Sequence, residues 1–214
     1  SFRKGFDVPL SGRPTLDVEV LPPSARVGVM PTEVSGLKAR LLVSVGDRVK
    51  RGTALVADKR NPLFRLCAPA AGRVVAVDIG PRRVIERIVI EREGEKIEDF
   101  RTLGRPLESW TRDEVLSVLQ TSGLFALIEQ RPYGRTADPS AQPKSIFVNA
   151  MATAPFTVEA AVALKGRSAE FHAGLIALSR LTEGPVHLVA PAGPMLPEAI
   201  ATTGSLARLH TVSG

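Results

Sequence analysis

From residue 16 to residue 92, closely spaced Gly, Pro, Asp and Asn cut the chain into short runs rich in Val, Ile, Leu and Ala. A packed helix needs roughly ten residues free of such breaks, so this stretch is confined to an all-β module of short strands. The apolar runs predict strands at Leu16–Val20, Arg26–Met30, Leu41–Val45, Ala54–Ala57, Leu63–Cys67, Arg73–Ile79 and Val84–Ile90. Val45-Gly46-Asp47-Arg48-Val49-Lys50-Arg51-Gly52 sets one tight turn at Gly46-Asp47 and another near Gly52. Ala68-Pro69-Ala70-Ala71-Gly72-Arg73-Val74 then repeats the turn-then-strand scheme.

Those two segments resemble the barrel-sandwich fold of biotinyl and lipoyl carrier domains, with its V-G-D-x-V-x-x-G-x-x-L and A-P-x-x-G-x-V pattern. In a carrier, a lysine at the tip of the intervening hairpin holds the cofactor, which draws attention to Asp58-Lys59. The symmetric tip here falls nearer Arg60-Asn61-Pro62, and Pro62 alters the turn. The pattern therefore implies the fold, with Lys59 expected to be a solvated lysine.

Beyond the polar run Glu91–Asp99 the chain changes character. Thr111-Arg112-Asp113-Glu114 is a capping box; Val115, Leu116, Val118 and Leu119 supply an apolar helix face, and Gly123 a stop. Strands are predicted at Ser145–Val148, Val186–Val189 and Leu206–Val212, with helices at Thr157–Leu164, Ser168–Leu181 and Pro194–Thr202. Strands alternating with helices imply a parallel sheet. The expected fold class is mixed α+β: an all-β barrel-sandwich hybrid over residues 1–100, then a Rossmann-like α/β domain over residues 101–214.

Composition narrows the function classes. No run approaches the roughly 20 apolar residues of a spanning helix. Ser1-Phe2-Arg3-Lys4-Gly5-Phe6-Asp7 has basic residues without the apolar stretch of a secretory signal. Cys67 is the single cysteine, so an internal disulfide and Cys-rich zinc sites are excluded; it reads as a small buried hydrophobe. Lys and Arg exceed Asp and Glu by 18 to 13 in residues 1–100 but by 10 to 9 beyond, and from Lys38 to Arg87 the balance is 12 to 4. Such a field suits a solvated surface, an acidic partner or anionic headgroups. Nucleic acid is disfavoured, because Tyr133 and Trp110 lie outside the basic stretch and no stacking platform accompanies it.

Catalytic patterns are missing. There is no G-x-x-x-x-G-K-[ST], no G-x-G-x-x-G after a strand and no G-x-S-x-G. His172, His187 and His210 fall one per element, without the spacing of a metal site. Neither a metal nor a catalytic residue is expected.

The segments Ser122-Gly123-Leu124, Arg131-Pro132-Tyr133-Gly134 and Phe147-Val148-Asn149-Ala150-Met151-Ala152-Thr153-Ala154-Pro155-Phe156-Thr157 resemble the flavin-binding subunit of respiratory complex I. There, S-G-L leads into a glycine-rich phosphate loop and a later strand ends in an acidic cluster. Here Phe125–Gly134 lacks those glycines, and Met151–Ala154 replaces the acidic residues. Gly5-Phe6-Asp7-Val8-Pro9-Leu10-Ser11-Gly12-Arg13-Pro14 and Asp58-Lys59-Arg60-Asn61-Pro62 sharpen the resemblance. On them the chain is identified as a member of the NqrA family, a component of bacterial Na+-translocating NADH:quinone reductases.

That resemblance implies a peripheral subunit on the cytoplasmic face of the bacterial inner membrane. It implies integral membrane subunits as partners, no covalently bound cofactor, no FMN, and ubiquinone as a possible ligand. Family members are longer, so these residues are expected to be an N-terminal fragment. A quinone needs an apolar slot with donors for its carbonyl oxygens. Arg131, Pro132, Tyr133 and Arg135, which include the chain's only tyrosine, are the candidate contacts; Gly28, Met30 and Pro31 form a second candidate segment. The alternatives are a docking subunit without a ligand, a carrier domain modified at Lys59, and an NADH/flavin subunit of the related Rnf type.

Overall fold

The computed structural model describes residues 10–12, 14–100, 103–151, 154–192 and 196–212. Gly5–Pro9 and Arg13 of the opening motif, and Ala152-Thr153, lie outside them. Contacts group the described residues into two units: those within 22–104 and 113–141, and those within 10–21, 105–112 and 142–212. Sequence order and spatial contact thus divide the chain differently, since 113–141 packs with the β-rich unit.

In the β-rich unit the strands are β1 (Arg26–Val29), β2 (Ala39–Leu41), β3 (Arg48–Val49), β4 (Ala54–Asp58), β5 (Arg65–Cys67), β6 (Gly72–Ile79) and β7 (Ile85–Arg92). They form two antiparallel sheets, ordered β1-β7-β6-β3 and β2-β4-β5. Register shifts in β6–β7, between Val74 and Ala76 and between Asp78 and Ile79, mark bulges that increase twist. Leu55, Val56, Val74, Ile88 and Ile90 are fully buried in the shared core. Each such side chain contributes about 1.5–3 kcal/mol by leaving water.

The turn motifs have physical reasons. Gly46, at φ +99°, takes a left-handed turn that other residues reach only under strain. At Gly72 a Cβ would stand 2.0 Å from the Glu91 carbonyl oxygen, so β6 and β7 can approach only over a glycine.

Three sequence expectations change. Leu16–Val20 forms no strand: Pro14 and Pro22-Pro23 bracket it and no described sheet edge receives it. The expected strand Leu41–Val45 is displaced to Ala39–Leu41, with Leu42 N–H still bonding the Leu55 carbonyl. Cys67 is only half-buried, its thiol donating to the Thr121 carbonyl at 3.4 Å.

Helix α1 (Arg112–Thr121) begins directly after Thr111, and Gly123 ends it in the left-handed region at φ +81°. A 3-10 turn, Leu124–Leu127, then drives Phe125 into the barrel core, edge-on to Phe64 at 6.1 Å. The short hairpin β8 (Glu129–Gln130) and β9 (Arg135–Thr136) completes the unit.

The second unit holds β10 (Ile146–Asn149), α2 (Ala160–Ala163), α3 (Ser168–Arg180), β11 (Val186–Pro191), α4 (Glu198–Ala201) and β12 (Arg208–Val212). Its sheet is wholly parallel, ordered β10-β11-β12, as expected. Val186, Leu188 and Ala190 face a core with Leu175 of α3 and Ile200 of α4. His172 Nε2 lies 2.8 Å from the Ala199 carbonyl and ties the two helices. On the opposite face Phe147 stacks on His187 at 4.7 Å. Pairing of β11 with β12 also brings His187 Nδ1 within 2.9 Å of His210 Nε2, so these two histidines are not scattered. One ring carries the shared proton and the other accepts it.

Candidate functional site

Two stretches of the β-rich unit form the walls of a groove of about 520 Å³. Val34–Leu37, leading into β2, makes one wall; Arg135–Ser140, from β9 onward, makes the other. Phe64, Asn61, Arg60 and Asp58 of the β4–β5 hairpin and Gln130 of β8 complete the lining.

The hairpin is held from both sides. Asn61 Nδ2 donates to Gln120 Oε1 of α1 at 2.6 Å, and Asn61 Oδ1 accepts from Leu63 N–H at 3.2 Å. Arg60 donates to the Gly36 carbonyl and pairs with Asp58 at 3.0 Å, while Asp58 Oδ1 also accepts the Arg60 amide at 2.8 Å. Burial pushes the Asp58 carboxyl up, but the Arg60 bonds outweigh it and hold the group below the usual carboxylate range. On the far wall, Asp138 accepts from the Ser140 hydroxyl and amide at 2.7 and 2.9 Å, bonds that keep it ionised at lower pH than usual.

This arrangement is apolar at Val34, Leu37, Phe64, Ala137 and Pro139, with donors at Gln130 and Arg135. The side chains of Gln130, Arg135 and Ser35 make no hydrogen bond to another described residue. A groove of mixed lining, with apolar side chains and a few unspent donors, can take a flat, weakly polar molecule carrying carbonyl acceptors.

Of the sequence candidates, Arg135 lines the groove. Arg131, Pro132 and Tyr133 form the β8–β9 turn, with a cis Arg131–Pro132 bond and Tyr133 84% exposed. Gly28 lies on β1, where its neighbour is the Ile88 carbonyl. Met30 is exposed, and Pro31 is buried at the 3-10 turn just before the groove wall. The structure thus brings Arg135 together with the stretches that follow both candidate segments, while Arg131, Pro132, Tyr133, Gly28, Met30 and Pro31 stay outside the lining. Sequence reasoning missed Phe64, Asn61 and Ala137; only the Asp58–Pro62 motif pointed toward them. Lys59 lies beside β4, exposed, with its amide on the Lys38 carbonyl. Among the described residues there is no cluster of three or more metal-ligating side chains, and no helix is long and apolar enough to cross a membrane.

An antiparallel β-rich unit in one chain with a unit built on a wholly parallel three-stranded sheet defines a two-part scaffold of a barrel-sandwich hybrid and an alpha/beta domain. Two domain descriptions of one family match: the NqrA N-terminal barrel-sandwich hybrid domain over residues 1–93 and the NqrA second alpha/beta domain over residues 110–214. The chain belongs to the NqrA family. Its relatives include the NqrA component of the Na(+)-translocating NADH-quinone reductase of Yersinia pseudotuberculosis serotype O:1b (strain IP 31758), 37% identical over 89% of this chain and 43% of that protein. The corresponding protein of Klebsiella pneumoniae (strain 342) is 39% identical over 90% of this chain and 43% of its own length. That of Serratia proteamaculans (strain 568) is 35% identical over 97% and 48%. The chain therefore spans less than half the length of the curated relatives it matches.

Proposed function

We propose that the chain serves as part of a peripheral subunit of a Na+-translocating NADH:ubiquinone reductase. In this reading it holds no redox cofactor, docks on integral membrane subunits at the cytoplasmic face and contributes to quinone binding in the groove of its β-rich unit. Family membership supports the subunit role. The quinone role rests on one observation: a 520 Å³ groove with Phe64 in its lining and unspent donors at Gln130 and Arg135. A quinone ring packs against Phe64 between Val34 or Leu37 and Ala137, and its carbonyl oxygens accept from the Gln130 amide and the Arg135 guanidinium. One charge-assisted bond of this kind is worth about 1.5–3 kcal/mol, roughly ten- to a hundredfold in affinity.

Titration of the purified chain with a short-chain ubiquinone tests this. The expected result is saturable one-to-one binding, weakened about tenfold or more by Arg135→Ala. A larger loss from Tyr133→Ala than from Arg135→Ala moves the contact to the hairpin turn. Absence of saturable binding leaves docking without a ligand. That reading draws on the basic stretch: of twelve Lys and Arg from Lys38 to Arg87, only Arg48, Lys50, Arg60 and Arg87 are ion-paired among the described residues. The others are available to an acidic partner or anionic headgroups, at about 1 kcal/mol per cation near such a surface.

A further inference from the structure

We propose that the tip of the β6–β7 hairpin is a membrane-contact point that seats in the headgroup layer of an anionic bilayer. The proposal rests on the docking reading above and gives it a surface and a lipid chemistry; the groove has no part in it. The residues are Ile79, at the end of β6, and Pro81-Arg82-Arg83-Val84, the turn that leads into β7.

This turn breaks a local rule. Val84 N–H bonds the Pro81 carbonyl at 3.3 Å and Gly80 N–H bonds the Val84 carbonyl at 2.8 Å, so the hairpin closes tightly. Its two central residues, Arg82 and Arg83, have φ of +54° and +59°. A turn with both central residues left-handed matches the twist of its strands and is ordinarily built from Asn-Gly, Asp-Gly or Gly-Gly. Arginine holds that conformation only under strain, and strain that persists points to a use for the side chains.

Both arginines are exposed, and neither is ion-paired among the described residues. The charges behind them are turned inward: Arg87 pairs with Asp78 at 2.6 Å, and Glu86 folds over Gly80 with its carboxyl standing where a Cβ would be. Beside the arginines stand two apolar side chains, Ile79 at 59% and Val84 at 45% exposed. A lone exposed apolar residue needs no explanation, but two that flank a pair of free cations make an amphipathic knob. At a bilayer surface the guanidinium forks bind lipid phosphates while the arginine stems and the apolar side chains enter the layer beneath. An acidic protein surface uses the two charges alone; an anionic lipid surface uses all four side chains.

Co-sedimentation of the 214-residue chain with phosphatidylcholine vesicles, with and without phosphatidylglycerol, tests this. Neither quinone nor another subunit is present, so failure here is distinct from failure of the subunit or quinone reading. Wild type is expected to sediment with the phosphatidylglycerol vesicles, less so at high salt, and not with phosphatidylcholine alone. Arg82→Glu with Arg83→Glu is expected to weaken binding about tenfold or more. Arg40→Glu with Arg51→Glu makes the same change of net charge at exposed positions on β2 and just past β3, and is expected to cost less than about threefold. Arg82→Asn with Arg83→Gly separates contact from structure: it relieves the turn, so the thermal midpoint is expected to rise while binding weakens about tenfold. Ile79→Ser with Val84→Ser keeps both arginines and is expected to weaken binding about threefold or more. A wild type that ignores phosphatidylglycerol vesicles overturns the proposal and leaves an acidic protein surface as the partner. So does wild-type binding by any of the three tip variants, and so does an equal loss in the Arg40 and Arg51 control.

Discussion

Cys67 is the residue whose chemistry the fold changes most. Burial raises its thiol to about 11, with Arg65 opposing that shift and Glu98 adding to it. The unfolded thiol ionises near pH 8.5–9, so the chain is expected to lose stability as pH rises from about 9 to 11, where only the unfolded state releases the proton. Native protein at about pH 8 should react slowly with a thiol reagent and rapidly once denatured; equal rates would contradict the assigned burial. Gly72 offers a steric test. Its Cβ position is occupied by the Glu91 carbonyl at 2.0 Å, and Gly72→Ala is expected to cost about 1–3 kcal/mol or more in a denaturant titration, as overpacked sites do. Unchanged stability there would mean that β6 and β7 are spaced more widely than described.

At the scale of elements, local signals were reliable where a residue has one physical use. Gly46 and Gly123 mark a turn and a helix stop, and both take left-handed conformations. The three parallel strands follow from strands alternating with helices. Signals that depend on a distant partner misled: Leu16–Val20 has a strand's pattern but lacks a ladder, and nothing local reports that. The groove was legible only in part. Arg135 stood in a marked segment, whereas Phe64 and Asn61 enter through the Asn61–Gln120 bond, which joins positions far apart in sequence. The segment after α1 carries Phe125, 4% exposed, anchored against Phe64. Phe125→Ala is expected to destabilise the β-rich unit by about 3–5 kcal/mol and to loosen the groove wall. Thermal unfolding measures the first effect and ubiquinone affinity the second; loss of neither would place Phe125 outside the core.

For the whole molecule, the proposal places quinone contact in one of the two units. The α/β unit carries a parallel sheet, and the β-rich unit carries the groove with unspent donors. The proposed ligand contact therefore falls on the β-rich unit. Backbone hydrogen exchange, measured with and without a short-chain ubiquinone, tests that assignment most directly. Slowed exchange at Ser35–Leu37 and at Gln130 and Arg135–Asp138, with the α/β unit unchanged, is the predicted result. Protection confined to residues 142–212, or none at saturating quinone, would contradict it.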